Sequence, residues 1–304
     1  MITDSPQFVG WIITNQCNFA CTHCYALSIA RDKPNTLELN RDEIEMACQN
    51  IIRSKVMTVY VSGGEPLMSP HCDYIVERLS TKGIRVGIST NGVLLTKERL
   101  KQLKEKGLYM VTISIDHPYA NEHDRVRQQT GSFESAKRAL CYCAELGVKG
   151  YISTVITRNN WSVLEDIYAL GISCRVKGIN FKKIRMVGDL KAQELYYIPN
   201  QQEEKYVMDV VRLLKQDNKL AVHLYYNSSP TSDVDDGCPC GRNIITVKPD
   251  GSIVPCVYSS FVIGNILNDN LHNLWINNCS LQELRRNDKC VAEMKEINFL
   301  GANV

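Results

Sequence analysis

From residue 7 to about residue 226 the chain alternates short β-branched runs with longer amphipathic ones, and this alternation restricts its fold more than any other feature. The runs "FVGWIIT", "VMTVYVS", "IRVGIST", "LYMVTISID", "VKGYISTVIT", "INFKKIRMV" and "LAVHLYY" read as strands. Most are nearly continuous in apolar character, as strands buried on both faces are. Between them, "RDEIEMACQNIIRSK", "CDYIVERLSTKG", "KERLKQLKEKG", "SFESAKRALCYCAELG", "SVLEDIYALGISC" and "QQEEKYVMDVVRLLKQ" carry helical spacing. Three of these close on a glycine, where a helix C-cap is expected. Repeated βα units imply a parallel sheet, open or curled into a barrel. The grammar changes at "NSSPTSDVDDG", a polar segment over 227–237 that reads as a loop or boundary. Beyond it, "NIITVKPDGSIVPC" reads as two strands around Asp250-Gly251, a pair favoured in two-residue hairpin turns, and "NLHNLWINNCSLQELRR" reads as helix. The expected organisation is a βα domain over 1–226 and a smaller module over 227–304.

The 304 residues are 44% hydrophobic, enough for a sizeable core. With 35 basic and 33 acidic residues and no long basic run, the chain has no electrostatic footprint for nucleic acid or anionic membrane. It shows no signal-peptide pattern and no apolar run of about 18 residues, so a cytoplasmic location is expected. Thirteen cysteines in such a chain suggest metal ligands, reactive thiols or core residues rather than disulfides. Cys48, Cys72, Cys141, Cys143 and Cys174 fall in or beside helical runs, where core packing is the simpler reading. The other eight form two groups, Cys17/Cys21/Cys24 and Cys238/Cys240/Cys256/Cys279/Cys290.

The first group has the spacing C-x3-C-x2-C and directly follows the first strand, at the end where βα enzymes place their chemistry. A zinc site completed by His23 or a distant cysteine is one reading, but zinc sites usually use C-x2-C pairs and His23 sits inside the gap. A cubane iron-sulfur cluster on three thiolates leaves one iron open to a small-molecule ligand. Further motifs mark the next strand ends. "GGEP" carries Gly63, Gly64 and Glu65; "STNG" carries Ser89 and Asn91; "SID" carries Ser114 and Asp116. Two glycines allow close backbone approach, and a carboxylate can receive an ammonium group through a charge-assisted hydrogen bond.

Through these four motifs together, residues 8 to 190 resemble the radical S-adenosylmethionine (radical SAM) superfamily. The resemblance implies a partial (β/α)6 barrel with a 4Fe-4S cluster on Cys17, Cys21 and Cys24, its open iron chelated by the amino and carboxylate groups of S-adenosylmethionine. It implies that Glu65, with the Gly63-Gly64 backbone, holds the methionyl ammonium. Ser89, Asn91 and Asp116 would contact the nucleoside or methionine moiety, and Arg127 matches a family arginine near the methionyl carboxylate. For Arg127 a solvated helix edge is the competing reading, with Arg125 as its near neighbour. The implied chemistry is one-electron reduction of the sulfonium, releasing methionine and a 5'-deoxyadenosyl radical that abstracts hydrogen from a substrate carbon. Iron-sulfur potentials span roughly −700 to +450 mV, and only the low end serves here, so an external donor of the flavodoxin or ferredoxin type is expected.

The second cysteine group surrounds the Asp250-Gly251 hairpin and resembles the SPASM/twitch extension of one radical SAM branch, in which such cysteines bind auxiliary iron-sulfur clusters. The chain continues past Cys290 only as "VAEMKEINFLGANV", so the shorter form with one auxiliary cluster is expected. Its expected ligands are Cys238, Cys240, Cys256 and Cys290. Cys279 reads as a core residue of a helix, while Cys238 or Cys279 is the candidate catalytic hydrogen donor if either is free. A zinc ribbon is the competing reading of this module.

The resemblance implies an oxidoreductase or maturase and leaves the substrate open. One reading is oxidation, crosslinking or maturation of a peptide, of the ribosomal-peptide or sulfatase kind. Because the first strand begins near residue 7, a peptide would be recognised without the N-terminal leader-binding domain that many peptide maturases carry. The other is a dehydrogenase or epimerase of sugars or aminocyclitols, the epimerase using a cysteine hydrogen donor. A non-catalytic iron-sulfur or zinc protein would leave the strand-end motifs without purpose. The acidic residues Asp233, Asp235 and Asp236 could meet a cationic substrate, and Tyr225 and Tyr226 could line a cavity or pack a strand.

Overall fold

The computed structural model describes residues 4–25, 37–187, 190, 197–226, 238–259 and 261–286. Its centre is one twisted sheet whose first seven strands follow one another in sequence order. They are β1 (Phe8–Ile12), β2 (Thr58–Ser62), β3 (Arg85–Thr90), β4 (Leu108–Ser114), β5 (Lys149–Ile156), β6 (Gly178–Lys183) and β7 (Ala221–Tyr225). All six pairings among them are parallel. Parallel neighbours need crossovers, and right-handed crossovers in unbroken order put every helix on one face. These helices are α1 (Arg41–Arg53), α2 (Cys72–Ser80), α3 (Lys97–Glu105), α4 (Ala120–Arg127), α5 (Ser132–Leu146), α6 (Leu164–Ser173) and α7 (Gln201–Asp217).

The expected glycine stops are present: Gly83, Gly107 and Gly147 each take a positive φ just beyond α2, α3 and α5. Asn40 and Asn200 start α1 and α7 with capping boxes that satisfy otherwise unpaired N–H groups. The short helix α4, which no apolar periodicity announced, spans the Arg125 and Arg127 region.

The strands are not buried on both faces as their composition suggested. In β5 burial alternates residue by residue, and elsewhere Val9, Trp11, Val59, Val61, Ile179 and Phe181 are sealed from solvent. Their strand neighbours Gly10, Tyr60, Ser153 and Asn180 remain half-buried. One face therefore packs on the helices, while among the described residues the other face stays partly accessible. The sheet does not close: its order ends at β7 on one side and at a C-terminal strand on the other, a partial barrel.

The C-terminal segment adds β8 (Ile244–Val247), β9 (Ser252–Val254) and β10 (Gly264–Asn265), then α8 (Leu271–Asn277) and α9 (Cys279–Arg286). Strand β8 lies parallel to β1, and β9 and β10 continue antiparallel from it. Ile245, Val247, Trp275 and Leu281 belong to the same apolar core as Val9 and Trp11. The hairpin turn is wider than a two-residue turn. Gly251 donates to Lys248 O at 3.0 Å, and Gly251 takes φ +82° while Asp250 keeps a negative φ. A two-residue type I′ turn needs positive φ at both central residues, and here only glycine supplies it. The expected single C-terminal helix is split at Asn278, whose extended backbone ends α8 and whose side chain accepts from Leu281 N at 3.0 Å. That break places Cys279 at the exposed start of α9, not in the core. Among the described residues no helix is long and apolar enough to cross a membrane.

Candidate active site

The cysteine loop leaves β1 at its C-terminal end and is fixed to the end of β2 by backbone hydrogen bonds. Gly64 donates to Thr14 O at 2.9 Å and Glu65 to Gln16 O at 2.7 Å. The glycine pair is required by this contact: a Cβ on Gly63 would lie 2.5 Å from Thr14 O, and one on Gly64 2.3 Å from Gln16 O. Backbone cannot retreat as a flexible side chain can, so close approach to the cysteine loop explains both residues. Thr22 donates to Val126 O at 2.9 Å, and Tyr197 Oη donates to Thr22 O at 3.0 Å, tying the loop's far side to α4 and to the segment before α7.

Within the loop Cys17 is exposed and Cys21 and Cys24 are half-buried, all three as free thiols. Burial pushes the Cys17 and Cys21 thiols above their usual range. Two N–H donors work against it: Phe19 N points at Cys17 Sγ at 3.4 Å, and Arg127 Nη1 at Cys21 Sγ at 3.7 Å. Donors aimed at sulfur suit thiolate ligands, whose metal binding displaces the proton. Among the described residues no three His, Cys, Asp or Glu side chains are arranged to hold a single ion. A cubane offers a separate iron to each thiolate, so its ligands need not converge on one point.

Glu65 is completely buried at the end of β2. Its Oε1 accepts from Thr90 Oγ1 at 2.8 Å and Leu67 N at 3.2 Å, and its Oε2 from Asn91 N at 2.8 Å. Burial still pushes its carboxyl up. Glu65 thus joins the ends of β2 and β3, with Oε2 keeping capacity for one further donor. Asn91 donates to Asn18 Oδ1 at 2.8 Å, again reaching the cysteine loop. Ser89, half-buried, lies one residue before the end of β3.

Asp116 is the hub beyond β4. Its Oδ1 accepts from Val155 N at 2.9 Å, and its Oδ2 lies 2.5 Å from Arg127 Nη2 and 3.3 Å from His23 Nε2. Burial alone would raise the Asp116 carboxyl, but Arg127, then His23, override it and hold it below the ordinary range. His123 accepts from Asp116 N at 3.2 Å, and burial pushes its imidazole down to about 4. Arg127 is therefore no solvated helix edge: it turns inward to Asp116 and Cys21, while Arg125 stays outside with Glu122. His23, Thr90, His123 and Tyr197 belong to this constellation and carried no sequence signal beyond the position of His23 between two cysteines.

Two buried nitrogens here have no hydrogen-bond partner among the described residues, His23 Nδ1 and Arg127 Nε. Such atoms cost free energy unless a ligand or water completes them. With three free thiols and a buried carboxylate at the C-terminal ends of parallel strands, the donor set fits a cluster and an amino-acid cofactor.

In the C-terminal segment the Cys240 thiol lies in hydrogen-bond contact with both Cys238 and Cys256. Cys240 donates to both neighbours and holds its proton strongly. Cys238 is drawn down to about 6, by the Cys240 hydrogen bond first, and Cys256 is lowered in the same way. The Arg185 charge also favours both thiolates. Tyr25, next to Cys24, meets Tyr258 edge-on with ring centroids 4.9 Å apart, so the two cysteine groups share an aromatic contact. Cys290 and the acidic residues Asp233, Asp235 and Asp236 lie outside the described residues.

Residues 11–171 match the Radical SAM superfamily, more than half of the chain. The chain belongs to the radical SAM superfamily. Residues 238–295 match an iron-sulfur cluster-binding domain, SPASM. This radical SAM protein is 31% identical over 293 residues to mycofactocin maturase MftC of Mycobacterium tuberculosis, covering 93% of this chain and 73% of the relative. It is 32% identical over 164 residues to the AdoMet-dependent heme synthase of Nitratidesulfovibrio vulgaris, covering 54% of this chain and 44% of that one. In fold it is similar to Streptococcus suis SuiB bound to S-adenosylmethionine, with TM-score 0.72, 15% identity and coverage of 93% and 66%. It is also similar to anSMEcpe with bound AdoMet and a peptide, with TM-score 0.71, 17% identity and coverage of 91% and 82%. The protein is a radical SAM enzyme, and its cofactors are S-adenosylmethionine and iron-sulfur clusters.

Proposed function

We propose that this enzyme modifies a peptide by radical hydrogen abstraction and that the net reaction is an oxidation or crosslink rather than an epimerisation. Bound cofactors supply one-electron cleavage of a sulfonium carbon–sulfur bond and hydrogen abstraction from a substrate carbon. The chain's own residues position and shield. Cys17, Cys21 and Cys24 would hold the first cluster, with Arg127 donating to Cys21 and His23–Asp116–Arg127 bracing the loop. Gly63, Gly64 and Glu65, with Ser89, Asn91 and Asp116, would bind S-adenosylmethionine across the strand ends. A peptide substrate is supported by likeness to a protein named a maturase and by the fold shared with SuiB, which has been crystallised with its precursor peptide.

The observation that favours oxidation is the contact among Cys238, Cys240 and Cys256. A cysteine that returns hydrogen to a substrate must stay free, whereas Cys238 is grouped with two other thiols, as an auxiliary-cluster ligand would be. Such a cluster, with Cys290 as fourth ligand, would supply an electron acceptor. The discriminating variant is Cys238→Ala, assayed for iron after anaerobic reconstitution. As a ligand, its loss removes about four of roughly eight irons, the content of one cubane. Full iron retention with lost turnover, together with solvent deuterium in the product of the wild type, would instead assign Cys238 as hydrogen donor and the reaction as epimerisation.

A further inference from the structure

We propose that Lys182 forms a subsite for a carboxylate of the substrate, on the concave wall of the barrel between the two cysteine groups. This inference rests on the reading above that the substrate is a peptide, and it adds the chemistry by which one end or side chain of that peptide is held.

Strand β6 alternates: Ile179 and Phe181 are sealed against the helices, so Asn180 and Lys182 project to the other face. Lys182 pairs in register with Val155 on β5 and Tyr225 on β7. The N–H of Val155 is the donor to Asp116 Oδ1, so Lys182 stands one strand from the carboxylate that braces the cluster loop. It also lies within electrostatic reach of both Asp116 and Cys240. Two residues toward the strand start, on the same face, Ser114, Ser153, Asn180 and His223 form a continuous row across β4 to β7. That row supplies hydrogen-bonding side chains for a polar chain segment lying across the wall.

Among the described residues Lys182 makes no hydrogen bond or ion pair, whereas the adjacent Lys183 pairs with Glu204 at 3.1 Å. The nearby Asp116 carboxylate is already engaged, shared by Arg127 and His23. Among the described residues Lys182 is exposed on that face, yet the surrounding protein lowers its ammonium pKa by desolvation. Among the described residues no carboxylate bonds this ammonium directly, and an entering carboxylate would do so with a charge-assisted hydrogen bond.

The test uses anaerobic holoenzyme with S-adenosylmethionine and three probes: acetyl-trialanine, its C-terminal amide, and acetyl-Ala-Glu-Ala amide. Acetylation of Lys182 by acetic anhydride is followed by mass spectrometry, with the other exposed lysines as internal controls. A carboxylate probe is expected to slow Lys182 acetylation about tenfold, the scale of one charge-assisted hydrogen bond, while the trialanine amide does not. Whichever acid protects more tells whether a chain terminus or an acidic side chain is the source. In saturation-transfer binding, Lys182→Arg is expected to keep the acid-over-amide preference and Lys182→Met to lose it, each with wild-type iron content. Equal protection by acid and amide overturns the proposal. So does a Lys182→Met protein that keeps the preference, or one that loses S-adenosylmethionine binding with probe binding unchanged, which would assign the lysine to the cofactor's own carboxylate. Reductive cleavage of S-adenosylmethionine by the wild type is measured separately, so failure of the radical reading is distinguishable.

Discussion

Arg125 and Arg127 stand two residues apart on one short helix, and the fold uses them oppositely. Arg127 neutralises a carboxylate that is 2% exposed, so Arg127→Met leaves that charge buried without its guanidinium counter-charge. Loss of one partner of a buried pair costs about 3–5 kcal/mol, whereas Arg125→Met should change stability by less than about 0.5 kcal/mol. Anaerobic urea unfolding of both variants measures the difference. His123 carries a second expectation. Its folded pKa, about 4, lies below the unfolded value, so the unfolded chain takes up the proton first as pH falls. Stability is then full above pH ~6.5 and declines toward pH ~4, with a loss of about 2 kcal/mol at pH 5. His23, also lowered by burial, adds in the same direction, and the depressed Asp116 loses its own contribution only below the ordinary carboxylate range. His123→Gln keeps an acceptor for Asp116 N and should flatten the slope between pH 7 and pH 5. At this scale the sequence was legible in placing the three cysteines after β1 and Glu65 at the end of β2. It was silent on His123 and Thr90, whose roles come from tertiary neighbours 7 and 25 residues away.

Among the elements, the strand-end loops interlock as one unit. The double glycine of "GGEP" was legible as a close-approach signal, but what approaches is the Thr14–Gln16 backbone. Gly64→Ala should therefore displace the cysteine loop and lower reconstituted iron by about half, with little change in helix content, because the contact at 2.3 Å is to backbone. Iron assay with circular dichroism checks both halves of that expectation. Strand and helix positions were readable from periodicity and glycine caps. The partly accessible face was not, because serine, glycine and tyrosine between apolar residues still read as a continuous strand. Asn278 likewise split a helical pattern through its side chain's local hydrogen bond, which periodicity does not register.

Taken as a whole, the molecule carries its second cysteine group on the same sheet as its first. Trp275 is sealed in the core that also holds Trp11, so Trp275→Ala should cost about 3–5 kcal/mol. Hydrogen exchange should show β1 and β8 losing protection together, since they pair along Phe8–Trp11. The pairing of β8 with β1 had no signature in sequence, because long-range partners are chosen by the closing sheet and not by local pattern. The arrangement sets the cysteine loop at one strand end and links it to the second group of thiols through an aromatic contact of 4.9 Å.

The most direct test is anaerobic reconstitution followed by reduction in the presence of S-adenosylmethionine, comparing the wild type with the Cys17/Cys21/Cys24 triple alanine variant. About eight irons and formation of 5'-deoxyadenosine and methionine are expected for the wild type, and about four irons with no cleavage for the variant. Intact S-adenosylmethionine with a fully loaded wild-type protein, or an iron content unchanged by the triple substitution, would contradict a radical enzyme built on these three cysteines.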